Sequence, residues 1–489
     1  MKSYYPFVGL AALYCNPAWA QEKPNFLIIQ CDHLTQRVVG TYGETQGCTP
    51  AIDQIANQGV VFANAYIGCP LSQPSRAALW SGMMPHQTNI RSNSDETINP
   101  KLPENISTLG SLFSENGYDA VHFGKTHDMG SLRGFKHKEP VAQPFQDTEF
   151  PVNNDSFLDV GTCEDAVNFL SNPPQEPFIC IADFQNPHNI CGYVGANQGE
   201  HIDKPISTPL PELPTNFEVD DWNQIPIPIQ YICCSHRRMT QAAPWNEDNY
   251  RHYLAAYQHY TKMVDKQIAK LLDALYSTPA GQNTIVIIMA DHGDGMASHR
   301  MVTKQISFYD EITNVPFIFA GPGIKQQRKS VDNLLVQPTI DLLPTLCEFA
   351  GINIPSDKLG ISLAPILKGE KQTKTHPYVV SEWHSEYEFI ISPGRMIRSP
   401  RYKYTHYLEG NGEELYDLQK DPGEKNNLAN HPKYTNILTE HRAMLDDYIL
   451  RTKDDYLTLK VDADKRCRQH SPGYPNHEGP NARDIMLKK

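Results

Sequence analysis

The chain has 489 residues and a formal net charge of -13, and 40% of its residues are hydrophobic and 20% charged. This composition is typical of a globular protein, and the length allows one large domain with an appendage or two to three ordinary domains. The acidic balance argues against a nucleic-acid-binding protein, which needs a basic face, but an anionic substrate can still bind in a locally basic pocket.

The first 20 residues predict an export signal. Lys2 provides a positive start, residues 7–13 form an apolar segment, and Ala18-Trp19-Ala20 is a cleavage site before Gln21. The apolar segment is too short to span a bilayer, and no later stretch contains 18 apolar residues in a row. We therefore expect a bacterial protein that is periplasmic or secreted and is not inserted in a membrane.

Apolar β-prone runs alternate with helical patterns as far as about residue 370. Residues 25–30 and 284–289 are continuous apolar runs, which are typical of strands buried on both faces of a parallel sheet. Further strands are predicted at 59–66, 118–123, 178–182 and 316–320, and helices at 49–56, 107–116, 166–170, 250–276 and 339–350. This alternation predicts an α/β fold with a large, mostly parallel sheet flanked by helices.

Two regions depart from this alternation. Residues 189–245 are rich in proline, and we interpret them as irregular loops over the strand ends. After Pro377, short strands at 378–382, 395–398 and 402–405 and a helix at about 433–450 predict a small antiparallel sheet with one helix. The expected organisation is a main domain over residues 21–375, a smaller C-terminal subdomain over 376–461 and an irregular tail over 462–489.

Polar side chains follow several of the predicted strands. In chain order they are Asp32 and His33, Lys125 and His127, His188, and Asp291 and His292. Each of them alone has an ordinary explanation, such as a helix cap or a solvated loop residue. In open α/β sheets, however, ligands bind beyond the carboxyl ends of the strands. Carboxylates, histidines and cations that meet at one sheet edge suit a divalent metal and an oxyanion.

The segment Ser72–Gly82 places a hydroxyl, a proline and a cation before an apolar helical pattern. Pro74 is typical of a first helical turn, and a helix that begins there directs free N–H groups and a positive dipole end toward an anion beside Ser72. Taken alone, the segment is more simply a helix with a capping serine.

Together these motifs resemble the formylglycine-dependent sulfatases, a family with an alkaline-phosphatase-like fold. Ser72-x-Pro-Ser-Arg76 is similar to the family signature, whose first position is Cys or Ser. Gly124-Lys-Thr-His127 resembles the G-K-x-H motif, and Asp291-His-Gly293 with Lys304 resembles the second metal strand and the sulfate-binding lysine. Residues 49–53, 341–345 and 414–422 are also family-like. The resemblance covers nearly the whole mature chain in the same order.

The resemblance implies a mechanism. Ser72 would be oxidised to formylglycine (3-oxoalanine) by a serine-type sulfatase-maturating enzyme, which indicates an anaerobic bacterial host. The hydrated aldehyde would attack sulfur, release the alcohol and then expel sulfate as the aldehyde reforms. His127 would be the base for that elimination, and His188 with Lys304 would hold the sulfate and protonate the leaving oxygen. Arg76 and Lys125 would stabilise the hydrate.

The resemblance also implies one divalent metal, Ca²⁺ with Mn²⁺ or Mg²⁺ as alternatives. Its ligands would be Asp32, His33, the modified residue 72, Asp291 and His292. His33 departs from the family pattern, because many relatives carry Asp or Gln there and calcium prefers oxygen ligands. It therefore either coordinates through nitrogen or positions a neighbouring residue.

The leading prediction for function is removal of sulfate from a sulfated saccharide of the glycan or glycosaminoglycan type. Candidates for contacts with that substrate are His299, Arg300, Trp383, His384, Arg395 and Arg398. One alternative is a phosphomonoester or phosphonate hydrolase of the same superfold, and another is a non-catalytic relative that binds sulfated glycans. The joint signature and G-K-x-H motifs favour the sulfatase over the first, and the filled catalytic positions favour it over the second.

Overall fold

The computed structural model describes residues 23–460 except for several internal segments, which are residues 45, 94–98, 142–157, 200–201, 203–208, 219–224, 227, 230–235, 305–306, 326–330, 372–373, 385–392 and 409–411. The predicted export signal at 1–20 and the predicted tail at 462–489 lie outside the described residues.

Seven strands form the main sheet. They are β1 (Asn25–Cys31), β2 (Val60–Val61), β3 (Asp119–Gly124), β4 (Lys136–Lys138), β5 (Phe178–Phe184), β6 (Thr284–Ala290) and β7 (Phe317–Ala320). Their order is β2-β7-β6-β1-β5-β3-β4. The five neighbouring strands β6, β1, β5, β3 and β4 pair in parallel, whereas β7 is antiparallel to both of its neighbours, β6 and β2. The predicted large, mostly parallel sheet is therefore confirmed.

The described α-helices are α1 (Pro50–Ala56), α2 (Ser72–Ser81), α3 (Pro85–Thr88), α4 (Leu109–Glu115), α5 (Leu158–Ser171), α6 (Ile190–Ala196), α7 (Arg237–Ala242), α8 (Glu247–Tyr276), α9 (Asp310–Thr313), α10 (Pro338–Ala350), α11 (Ala364–Leu367) and α12 (Thr435–Thr452). Short 3-10 turns occur at Gln36–Val38, Gly40–Tyr42, Pro279–Asn283, Ser298–Arg300, Pro432–Tyr434 and Tyr456–Thr458. None of these helices has both the length and the apolar character needed to cross a membrane.

The main sheet has a hydrophobic core on each face, because successive side chains of a strand point to opposite sides. Leu27 and Ile29 of β1 belong to one core, to which α5 and α8 contribute, whereas Phe26 and Ile28 belong to the other, to which α2, α4 and α10 contribute. Every residue of β1, β5 and β6 is buried, as their continuous apolar runs predict. Helices therefore cover both faces and leave the strand ends available for a site.

A second sheet of four antiparallel strands follows the main one. Its strands are β8 (Val379–Trp383), β9 (Gly394–Arg398), β10 (Tyr402–Tyr407) and β11 (Gly412–Asp417), in the order β11-β10-β9-β8. Leu438 and Leu445 of α12 share a core with Ile397 and Leu415 of this sheet. The predicted small antiparallel sheet with one helix is confirmed, and β11 is a strand beyond those predicted.

The prediction that residues 189–245 are irregular throughout is wrong for two described segments. α6 and α7 lie in this region. Ile190 and Val194 of α6 and Met239 of α7 are fully buried in the main core. These few apolar contacts fix short helices inside a sequence whose prolines otherwise favour loops.

Candidate active site

The carboxyl ends of β1 and β6 place two buried aspartates side by side. Cys31, the last residue of β1, is in register with Ala290, the last residue of β6. Asp32 and Asp291 follow directly, and both are fully buried. Buried carboxylates require compensating charges or hydrogen bonds, so further polar groups must meet them at this edge.

Ser72 lies in the middle of these groups. It is the first residue of α2, and every residue of that helix is buried. The Ser72 Oγ lies 2.8 Å from His292 Nε2, 2.9 Å from Lys304 Nζ and 3.5 Å from Asp32 Oδ1. These three side chains come from three separate segments of the chain, which the sheet brings together around one hydroxyl group.

Arg76 extends from the same helix toward the same aspartates. It lies four residues after Ser72, a spacing that places both side chains on one face of a helix. Its guanidinium is fully buried, and its Nε donates to Asp291 Oδ2 at 2.9 Å while its Nη2 lies 3.5 Å from Asp32 Oδ2. α2 therefore supplies both the hydroxyl and a fixed cation.

Two lysines complete a cationic environment around Asp32. The Lys125 Nζ forms an ion pair with Asp32 Oδ2, and the Lys304 ammonium lies next to Ser72. Burial opposes ionisation of Asp32, but Lys125, Lys304 and Arg76 hold its pKa well below the ordinary value. The carboxylate is therefore an anion, and the cations around it can also receive an anionic substrate group.

Lys125 depends on the glycine before it. Gly124 has a φ of +107°, and a Cβ atom there would lie 2.0 Å from the carbonyl oxygen of Asp183. We expect Gly124→Ala to lower the free energy of unfolding by more than about 2 kcal/mol, because both the backbone conformation and the contact are unfavourable. Gly117→Ala is the matched control, because its φ is +82° and no atom lies within 4 Å of the added carbon. That change should cost only about 1 kcal/mol in denaturant unfolding, and equal losses for the two variants would contradict the predicted clash.

The histidines at this edge are held neutral. Burial, reinforced by Lys125 and Lys304, lowers the pKa of His127 to about 3. Burial, with the same two lysines, lowers the pKa of His188 well below its ordinary value. The His127 Nδ1 is buried without a hydrogen-bond partner among the described residues. A neutral imidazole next to a reacting group can accept a proton from it.

Asp32, Asp291 and His292 fit a divalent metal. One ligand atom from each lies within 4.8 Å of the others, and all three residues are buried. The His292 Nδ1 lies 2.8 Å from the Gly293 carbonyl oxygen, to which it donates, so Nε2 keeps a lone pair. Two carboxylates and one imidazole form a donor set that suits a divalent cation.

The ring of His33 belongs to a neighbouring group of side chains. Its Nε2 lies 3.2 Å from Asp294 Oδ2 and its Nδ1 lies 4.0 Å from Cys191 Sγ. Its backbone N–H, in contrast, donates to Asp291 Oδ1 at 3.0 Å. This arrangement favours the alternative in which His33 positions a neighbouring carboxylate.

Comparisons with known proteins identify the family of the chain. The Sulfatase family profile matches residues 24–352. The chain belongs to the sulfatase family. A second profile, described as N-sulphoglucosamine sulphohydrolase, C-terminal, matches residues 297–451 of this sulfatase. Over 482 residues this chain is 78% identical to the Delta 4,5-hexuronate-2-O-sulfatase of Bacteroides thetaiotaomicron. The alignment covers 99% of this chain and 100% of that relative.

Solved structures share the fold of this sulfatase. A 2-O GAG sulfatase superposes with a TM-score of 0.90 at 78% identity, over 95% of this chain and 100% of that one. The phosphonate monoester hydrolase of Agrobacterium radiobacter superposes with a TM-score of 0.70 at 20% identity, over 89% of this chain and 97% of that one. This similarity shows a common fold and nothing further. The alkaline-phosphatase-like fold that the resemblance implied is confirmed, and the protein is an enzyme that hydrolyses sulfate esters.

Three of the side chains predicted to contact substrate are buried against other parts of the protein. The ring of His299 stacks on Tyr309 with centroids 4.0 Å apart, and Arg300 donates to Glu218 at 2.8 and 3.2 Å. Trp383 ends β8 and is 3% exposed. A role for these three in substrate binding stays a prediction.

The other three candidates lie in or next to the small sheet. Arg395 Nη2 donates to His384 Nε2 at 2.8 Å, and its guanidinium makes two hydrogen bonds to Asp454, of 2.6 and 2.8 Å. Arg398 Nε donates to the Tyr66 hydroxyl at 2.9 Å. Like the first three, these side chains make contacts that hold the protein together, and their contact with substrate stays a prediction.

The Arg395–Asp454 pair should contribute strongly to stability. Both side chains are fully buried, so Arg395→Leu would leave a buried carboxylate without its cation. We expect the free energy of unfolding, measured with denaturant, to fall by about 3–5 kcal/mol. Arg401→Leu is the control, because Arg401 forms a similar pair with Asp417 but its side chain is 42% exposed. That change should cost no more than about 1 kcal/mol, and a comparably small loss for Arg395→Leu would contradict a structural role.

Two further buried aspartates belong to the site, and the sequence patterns above did not single them out. Asp183 in β5 accepts a hydrogen bond of 2.5 Å from Arg76 Nη1. Asp294 faces the His33 ring and also accepts a hydrogen bond from the Tyr253 hydroxyl. The strand-end criterion that selected Asp32 applies equally to Asp183, which lies near the end of the apolar run 178–184.

Proposed function

We propose that this sulfatase removes the 2-O-sulfate from a Δ4,5-unsaturated hexuronate of a glycosaminoglycan-type saccharide. The observation that carries the proposal is the 78% identity, over 99% of this chain and 100% of the relative, to a Delta 4,5-hexuronate-2-O-sulfatase. A hexuronate with a double bond between C4 and C5 carries no glycosidic oxygen at C4. Such a sugar can stand only at the non-reducing end, so the proposed enzyme acts on chain ends.

The nucleophile in this proposal is residue 72 after oxidation of its side chain to formylglycine. A plain alcohol would leave a stable sulfate ester on the enzyme, whereas the aldehyde hydrate can expel sulfate and reform the aldehyde. The cations near this side chain support the role, because Lys304 Nζ lies 2.9 Å from the Ser72 Oγ and Arg76 lies one turn further along the helix. Arg76 and Lys125 stabilise the charge of the hydrate, and Lys304 holds a sulfate oxygen.

His127 and His188 handle the protons. Both imidazoles are neutral because burial and the nearby lysines lower the pKa of each. His127 removes the proton of the second hydroxyl group of the hydrate when sulfate leaves. His188 and Lys304 together contact the sulfate and protonate the oxygen of the departing sugar. Because the imidazole is neutral, the Lys304 ammonium, whose pKa is lowered by burial, is the source of that proton.

Asp32, Asp291 and His292, with the modified residue 72, hold one divalent cation, which we propose is Ca²⁺. When bound, this cation polarises the oxygens of the nucleophile and of the sulfate. The close grouping of these three buried side chains supports the assignment. His33 keeps Asp291 in place through its backbone N–H.

We further propose that the protein is exported and matured in its bacterial host. Residues 1–20 act as the export signal, which directs the enzyme to the periplasm or the medium. A serine-type maturating enzyme oxidises Ser72, since this position carries Ser rather than Cys. Besides the maturating enzyme, the proposed partner is the sulfated saccharide substrate.

Two unsaturated disaccharides that differ only in the position of one sulfate test the substrate proposal. The enzyme, produced with a serine-type maturase, is incubated with the isomer sulfated at O2 of the hexuronate or with the isomer sulfated at O6 of the hexosamine. We expect sulfate release, measured by ion chromatography, from the first isomer only. Release from the second isomer alone, or equal release from both, would overturn the proposal.

A further inference from the structure

Three carboxylates surround the guanidinium of Arg76. Its Nε lies 2.9 Å from Asp291, its Nη1 2.5 Å from Asp183 and its Nη2 3.5 Å from Asp32, and all four side chains are fully buried. Asp32 and Asp291 are the two carboxylates that we assign to the metal. Asp183 is not in that ligand group, and among the described residues Arg76 is the only arginine or lysine that forms an ion pair with it.

Asp183 holds both of the cations that are proposed to stabilise the nucleophile. Its side chain accepts from Arg76 Nη1, and its backbone carbonyl oxygen accepts from the Lys125 backbone N–H at 3.0 Å. Arg76 Nη1 also reaches the Lys125 carbonyl oxygen at 3.3 Å. A single residue of β5 thus connects the α2 cation with the cation after β3.

Both neighbouring strands also place a polar side chain near the Asp183 carboxylate. Gln30 of β1 donates to its Oδ2 at 3.3 Å, and His122 Nε2 of β3 lies 3.5 Å from the same oxygen. His122 is in turn hydrogen-bonded to His137, with the two Nδ1 atoms 2.9 Å apart. Gln30 thus adds a hydrogen bond to Oδ2, whereas Asp183 Oδ1 has no hydrogen-bond partner among the described residues.

The metal makes this third carboxylate necessary. A divalent cation on Asp32 and Asp291 competes with Arg76 for their charge and repels the guanidinium. Among the described carboxylates that pair with Arg76, Asp183 is the one outside the proposed ligand set, so it would attract the guanidinium without also binding the metal. We propose that Asp183 is the positioning residue for Arg76, keeping the guanidinium beside residue 72 when the metal is bound; this rests on the role proposed above for Arg76.

The isosteric variant Asp183→Asn tests the proposal, with Asp265→Asn as the matched control. Asp265 is also a buried carboxylate, but it accepts from the backbone N–H groups of Ala51 and Ile52 at 3.0 Å. We expect Asp183→Asn to lower kcat by about 10- to 100-fold, as loss of a residue that supports a metal site does, with little change in KM. Asp265→Asn should keep kcat within about threefold of the native value.

Mass spectrometry of the residue-72 peptide is part of the same experiment, because it shows whether each protein carries the same fraction of formylglycine. Rates are measured on a sulfate ester that the native enzyme cleaves, either the 2-O-sulfated disaccharide or an aryl sulfate. Inactivity of the native enzyme on both esters, despite formylglycine, would refute the proposed function. A native kcat in Asp183→Asn would refute only the positioning role.

A second measurement separates positioning from a general effect on folding. If Asp183 acts through Arg76, adding Asp183→Asn to Arg76→Lys should lower the rate constant by less than about threefold. The guanidinium geometry that Asp183 maintains is already lost in Arg76→Lys. The four proteins to compare are the native enzyme, Asp183→Asn, Arg76→Lys and the double variant. Their rate constants are measured as single-turnover rates, with enzyme in excess over substrate. A full 10- to 100-fold loss in both backgrounds would overturn the proposal and make Asp183 a structural residue.

Discussion

Ser72→Ala should abolish sulfate release. The variant lacks the side chain that we propose becomes the aldehyde, and removal of a catalytic nucleophile typically lowers kcat by about 10,000-fold or more. The fold should persist, because Ser72 begins α2 without capping it, and Leu71 occupies the N-cap position. Sulfate release and thermal unfolding, measured on the same preparation, check both parts of this expectation.

Ser81→Ala is the control for the Ser72 variant. Ser81 is buried at the other end of the same helix, and its hydroxyl donates to the Ala77 carbonyl oxygen at 2.7 Å. This change removes an equal number of atoms from α2 but should leave kcat within about threefold of the native value. Turnover by Ser72→Ala at more than a hundredth of the native rate, as an order-of-magnitude bound, would mean that another group attacks sulfur.

Asp32→Asn should have the second largest effect. The substitution keeps the shape of the side chain but removes the charge that lies among Lys125, Arg76 and the Ser72 hydroxyl. We expect the purified variant to lose its divalent metal in elemental analysis and to lose about 1,000-fold in kcat, since several cations are then left unbalanced around the nucleophile.

Chelation provides the complementary measurement. A ligand that binds only the folded protein raises its stability, so removal of the metal with a chelator should lower the Tm of the native enzyme. The same treatment should not change the Tm of Asp32→Asn, because that variant has no metal to lose. Asp332→Asn, at an exposed position, is the control and should behave like the native enzyme. An Asp32→Asn variant with a full complement of metal would contradict the assigned ligand set.

Much of the fold could be predicted because its signals are local. The uninterrupted apolar runs at 25–30 and 284–289 are the central strands β1 and β6, and the polar residues that follow them lie at one edge of the sheet. The helices α6 and α7 in the region 189–245 could not be predicted in this way, because they depend on a few buried residues rather than on a long amphipathic repeat.

The core of the candidate site could also be predicted, whereas its support could not. Ser72, Arg76 and Lys125 stand in recognisable motifs, but Asp183 is one polar residue inside an apolar strand and has no motif of its own. Arg395 is predicted to contact substrate, and that stays a prediction. Its ion pair with Asp454, 59 residues away, is a contact that no sequence spacing reveals. Long-range ion pairs of this kind are apparent only when the chain is folded.

Mass spectrometry of the peptide that contains residue 72, from enzyme purified from its native host, tests the central claim most directly. We predict a peptide lighter than the serine form by two hydrogen atoms, as expected for formylglycine, in protein that releases sulfate. Unmodified serine at this position in protein that is fully active on a sulfate ester would contradict it.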